Sequence, residues 1–119
     1  MPDTSPIDHQ AIENLRALNP GDNDEFLREI AGIYLEDTPK RLGELDQSLA
    51  AGDTARFTRA AHSIKGSSAN LGATDVRSVA ERLEHQSRTA GLGDVAALVA
   101  QLKTEFARAE AELKRLTAG

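Results

Sequence analysis

The chain has 119 residues, a mass of 12.8 kDa, a formal net charge of -5 and no cysteine. That length is one domain's worth, enough to bury a core without disulfides and too short for a two-domain nucleotide enzyme. The acidic balance argues against nucleic acid and anionic membrane surfaces as partners, and the lack of cysteine excludes thiolate metal sites and thiol nucleophiles. Aromatic residues make up 3 % of the chain, while Ala, Leu, Glu and Arg abound, which favours helices over strands.

Residues 1–7 carry two prolines and small polar side chains and are expected to form a flexible lead, with a single helical domain over 8–119. They show neither a basic segment nor an apolar one, so no signal peptide is expected. Asp8 is placed to cap a short helix to about Leu18, with Ile12 and Leu15 as its apolar side. Asn19-Pro20-Gly21 stops it. Asp22 and Glu25 have capping-box spacing. Beyond them Phe26, Leu27, Ile30, Ile33, Tyr34, Leu42, Leu45 and Leu49 recur in helical steps. Pro39 falls inside this run and predicts a kink, because the apolar register continues past it.

Gly52 ends the second helix, and Asp53 or Thr54 caps a third that turns Phe57, Ala60, Ala61, Ile64, Ser68 and Leu71 to one side. Gly72 closes it. Thr74 or Asp75 opens a fourth helix with Val76, Val79, Ala80 and Leu83 inward. Ala90-Gly91-Leu92-Gly93 is a turn, and Asp94 is the expected cap of a last helix through Val95, Leu98, Val99, Leu102, Phe106, Ala109, Leu113 and Leu116. No stretch alternates with period two. Four long helices joined by short turns predict an all-α, antiparallel four-helix bundle with a short additional N-terminal helix. Gly66 to Thr74 is the longest stretch free of charge, well short of a membrane span, and a cytoplasmic monomer is expected.

The third helix carries the chemistry. At about 100° per residue, His62 points roughly 160° away from Ile64 and 140° away from Phe57, toward solvent. Lys65 and Arg59 flank it one turn on either side, with Thr58, Gly66 and Ala69 on the same face. Imidazole is a nucleophile at neutral pH, and two neighbouring cations can stabilise a phosphoryl group beside it. A glycine in a helix interior costs about 1 kcal/mol against alanine. At position 66 it would let another protein's backbone approach the histidine.

The run His62-Ser63-Ile64-Lys65-Gly66-Ser67-Ser68-Ala69-Asn70-Leu71-Gly72 resembles the signature of histidine-containing phosphotransfer (HPt) domains, H-x-x-K-G-(small)-(small)-x-x-(apolar)-G. Tyr34-Leu35-Glu36-Asp37-Thr38-Pro39, Leu49-Ala50-Ala51-Gly52-Asp53 and Arg82-Leu83-Glu84 resemble flanking segments of that family. The resemblance implies a phosphorelay protein. His62 would accept a phosphoryl group on Nε2 from a receiver-domain aspartyl phosphate and pass it to another receiver. Lys65 would steady the phosphoryl group, and Gly66 would leave room for docking. Thr58, Arg59, Lys65, Gly66 and Ala69 are the expected partner-binding residues. It also implies a phosphocarrier and not an enzyme, with no cofactor of its own and Mg²⁺ on the partner receiver.

Partners would be receiver domains of response regulators or hybrid kinases. A polar group is expected on Nδ1 of His62, and the sequence leaves its identity open. Met1 and the lack of kinase and receiver segments favour a free-standing shuttle over a domain excised from a hybrid kinase. The competing readings are a phosphorylation-independent scaffold that binds receivers, a sensor-kinase dimerisation helix and a metal-binding bundle. The intact His62-Lys65-Gly66 set argues against the scaffold. Ser63 and Gly66 do not fit the acidic residue and proline that follow a kinase histidine. The Glu-x-x-His pairs of a di-iron bundle are missing.

Overall fold

The computed structural model describes residues 5–118 and contains five helices: α1 (His9–Leu18), α2 (Glu25–Ala51), α3 (Thr54–Asn70), α4 (Thr74–Ala90) and α5 (Ala96–Thr117). Helices α2 to α5 form a closed ring of contacts, α2 on α3, α3 on α4, α4 on α5 and α5 back on α2, while α1 lies against α2. Short turns between long helices force neighbours to run antiparallel, so this is the expected four-helix bundle with a short N-terminal helix. No strand occurs among the described residues. None of the helices is long and apolar enough to cross a membrane.

The core follows the helical period. Phe57, Ala60, Ala61, Ile64 and Ser68 are the buried residues of α3, as the spacing predicts, and Val76, Val79, Ala80 and Leu83 are buried on α4. Tyr34 of α2 meets Phe106 of α5 edge-on, with ring centroids 5.8 Å apart, and its hydroxyl is 2.8 Å from Ser68 Oγ on α3. That bond ties three helices together at the level of the α3 C-terminus. Burial pushes the phenol up to about 12, against the bond to Ser68.

Local expectations hold at some ends and fail at others. Asp8 caps α1 through Gln10 N, and Asp53 caps α3 through Arg56 N. Pro39 sits within α2, which continues unbroken to Ala51. The Asp22–Glu25 capping box does not form. Asp22 instead accepts from Phe26 N, and the helix starts after Asn23 and Asp24 in left-handed conformations. Asp94 does not cap α5. Fully buried Val95 occupies that position, because the turn after α4 is drawn into the core there.

Two burial expectations also change. The helical spacing puts Ile33 in the apolar pattern of α2, yet it is 61 % exposed. It lies about 100° around the helix from Tyr34, at the edge of the stripe. Ile7 falls within the lead of residues 1–7, yet it is fully buried in the core. The adjacent Asp8 N–H donates to Gly72 O at 2.7 Å, which docks this stretch on the end of α3. Residues 1–4 of that lead, like Gly119, lie outside the described residues.

Candidate phosphotransfer site

His62 stands in the middle of α3 with its side chain 65 % exposed. The core face of the helix is opposite, so burial of Phe57 and Ile64 holds the imidazole outward. Its Nδ1 lies 2.8 Å from Glu84 Oε2 on α4. Glu84 is only 5 % exposed and also receives Lys65 Nζ at 2.6 Å on Oε1 and Arg88 at 2.8 Å on Oε2. Burial alone would raise this carboxyl. The bonds from Lys65, His62 and Arg88 outweigh it and hold the group down at about 2.

The ionised state of Glu84 fixes the tautomer of the neutral histidine. An ionised carboxylate can only accept hydrogen bonds, so Nδ1 must carry the proton. In the neutral ring Nε2 then keeps its lone pair, on the side away from Glu84. The nucleophilic nitrogen is therefore the one that faces outward.

The other expected residues divide into two groups. Arg59, Gly66 and Ala69 are exposed around His62. A Cβ built on Gly66 meets nothing within 4 Å, so this fold does not itself demand a glycine there. Arg59 has no hydrogen-bond or ion-pair partner among the described residues. Thr58 and Lys65 are instead turned toward α4. Thr58 Oγ1 is 2.7 Å from Ser87 Oγ, a hydroxyl bridge between α3 and α4 one turn from the histidine. The Lys65 ammonium rests on Glu84.

Between α3 and α4 lies a cleft of about 560 Å³ lined by Ala55, Thr58, Arg59, His62, Ser63 and Arg88. On the other flank of α3, Arg41, Glu44, Arg56 and Arg59 line a second depression, where Glu44 pairs with Arg41 at 2.7 Å. Among the described residues no group of three His, Cys, Asp or Glu side chains is arranged to hold a metal ion.

Sequence reasoning did not find Glu84 and Arg88 as members of the site. A signal was present. Glu84 is eight residues from Val76 and one from Leu83, so it falls on the buried stripe of α4. A carboxylate on an apolar stripe needs cationic or donor partners from a neighbouring helix.

A family model described as the Hpt domain matches residues 29–112. The chain is 34 % identical over 79 residues to "Multistep phosphorelay regulator 1" of Schizosaccharomyces pombe, a match that covers 66 % of this chain and 27 % of that protein. It thus spans about a quarter of that relative's length. It is 27 % identical over 110 residues to "Histidine-containing phosphotransfer protein 4" of Arabidopsis thaliana, covering 91 % of this chain and 86 % of the other. Its fold matches the crystal structure of histidine-containing phosphotransfer protein B from Pseudomonas aeruginosa PAO1 with a TM-score of 0.85 at 28 % identity, over 95 % of each chain. The HPT domain of a Shewanella hybrid histidine kinase shares the fold at a TM-score of 0.75 and 16 % identity, over 98 % of this chain and 97 % of that one.

The bundle is thus that of a histidine phosphotransfer domain. This chain belongs to the Hpt domain family.

Proposed function

We propose that His62 is the phosphorylated residue and that it carries a phosphoryl group between receiver domains. The observation that supports this most directly is the Glu84 contact, which in the neutral ring puts the proton on Nδ1 and the lone pair on the outward Nε2 of the one histidine in the Hpt signature. In the transfer, the Nε2 lone pair forms the N–P bond as the P–O bond of the receiver's aspartyl phosphate breaks. The aspartate leaves as a carboxylate. Nδ1 keeps its proton, and the positive charge that develops on the ring is offset by Glu84. The reverse step regenerates the neutral imidazole and loads a second receiver.

Lys65 contributes by holding Glu84 in place and by adding positive charge beneath the developing phosphoryl group. Thr58, Arg59, Gly66 and Ala69 belong to the docking face. Open space over Gly66 fits close approach of a partner backbone. Exposed Ile33, on the flank of α2 that carries Asp37 and Arg41, extends that face with an apolar element. An apolar centre with a charged rim is the usual anatomy of a transient interface. The protein acts as a phosphocarrier without kinase activity of its own. We assign it no cofactor, with Mg²⁺ on the partner receiver. It works as a cytoplasmic monomer.

The test is phosphotransfer from phosphorylated receivers, in Mg²⁺, to the wild type and to His62→Gln. An acid-labile, base-stable label on the wild type alone is expected. Equal label on both would place the phosphate elsewhere. A folded wild type that binds receivers and takes no label would leave a scaffold.

A further inference from the structure

The side chain expected to contact the phosphoryl group, Lys65, is already engaged. Its ammonium sits 2.6 Å from a carboxylate that is 5 % exposed. Withdrawing it would strip Glu84 Oε1 of its hydrogen bond, whereas Oε2 is shared by Arg88 and His62 Nδ1 and keeps a donor if Arg88 leaves. Two other cations at this corner are differently placed. Arg88 is 63 % exposed and bonds the same Glu84 oxygen as His62 Nδ1, so its guanidinium lies beside the ring and retains donors facing solvent. Arg59 lines the same cleft with no partner among the described residues. Both line the cleft whose wall includes the imidazole, and the remaining lining residues are Ala55, Thr58 and Ser63.

We propose that the α3–α4 cleft is the seat of the phosphoryl oxygens once His62 is phosphorylated, and that Arg88 and Arg59 hold them while Lys65 stays on Glu84. A guanidinium suits this task, since its planar fork matches two oxygens of a phosphoryl group and an ammonium does not. Arg88 needs no large movement, because it already reaches the carboxylate next to the ring. Glu84 keeps its bonds to His62 and Lys65 when Arg88 turns outward, so the buried charge stays compensated. Both arginines line the cleft, one from α3 and one from α4, and together they would shield phosphorus from water. This assignment rests on His62 being the phosphorylated residue.

The experiment uses the full chain, labelled by a phosphorylated receiver and separated from it. The fraction of phosphohistidine remaining is followed over time at neutral pH, in wild type, Arg88→Gln, Arg59→Gln and Lys65→Gln. Normalising to the initial label makes slow loading irrelevant. Arg88→Gln is expected to shorten the lifetime at least fivefold, Arg59→Gln by a smaller factor, and Arg88→Lys to restore only part of it. Lys65→Gln is expected to change the loading rate and the ¹⁵N signature of the His62 tautomer with little effect on lifetime. Unchanged lifetimes in both arginine variants, or shortening confined to Lys65→Gln, would overturn the assignment while leaving His62 as the carrier. A wild type that takes no label would overturn both.

Discussion

Replacing Glu84 by glutamine tests the whole arrangement with a change of a few atoms. The carboxylate accepts three bonds, from His62, Lys65 and Arg88, and folding lowers it from 4.5 to about 2. At 1.36 kcal/mol per unit this corresponds to about 3 kcal/mol, an upper figure for one buried group. The sign follows from the direction of the shift. A depressed carboxyl contributes its full stability above the unfolded value of 4.5 and loses it as the pH falls toward 2.

An amide cannot reproduce this. If its oxygen faces Nδ1–H, its NH₂ faces the Lys65 ammonium, donor against donor. If it turns over, NH₂ donates to Nδ1, the ring proton moves to Nε2 and the nucleophilic lone pair is lost. Either way a charge-assisted bond of about 1.5–3 kcal/mol is gone, equivalent to a roughly 10- to 100-fold slower loading of His62. Urea unfolding from about pH 7 down to pH 2, ¹⁵N spectra of the imidazole and initial rates of phosphotransfer together read the change. Glu84→Gln should flatten the acid loss of stability and reduce the transfer rate. A variant that keeps the Nδ1–H tautomer, the wild-type acid profile and the wild-type rate would refute the reasoning.

Other sites give separable outcomes. Glu112 titrates in the same acid window, held down at about 2 chiefly by Arg115, against burial and with help from His9, so Glu112→Gln should also flatten the profile yet leave phosphotransfer unchanged. Gly72→Ala should destabilise the fold by about 2 kcal/mol in denaturant titration, because its φ of +68° suits glycine and a Cβ would lie 2.7 Å from that of Ala11. Gly66→Ala meets no such obstacle and should raise stability by up to about 1 kcal/mol. The same variant should slow transfer, measured with one receiver at several concentrations, if a partner backbone packs there. Tyr34→Phe removes the 2.8 Å bond to Ser68 and should cost about 1 kcal/mol in thermal unfolding.

Features that depend on near neighbours along a helix were legible in the amino-acid order. The 3.6-residue period placed Phe57, Ala61 and Ile64 inward and His62 outward, and α3 buries and exposes those residues accordingly. Asp8 and Asp53 act as caps because a cap needs only the next few residues. Gly72 was legible as a helix end, though its second duty, admitting Asp8 and Ala11, was not. Contacts between residues far apart in the chain depend on how the helices pack. His62 and Glu84 are 22 positions apart, and Thr58 and Ser87 are 29. Their meeting depends on how α3 lies against α4, a rotation and register set by the packing of both core faces. The same packing left Ile33 outside and drew Ile7 in, and it turned Lys65 from a free cation beside the histidine into one already held by a buried carboxylate.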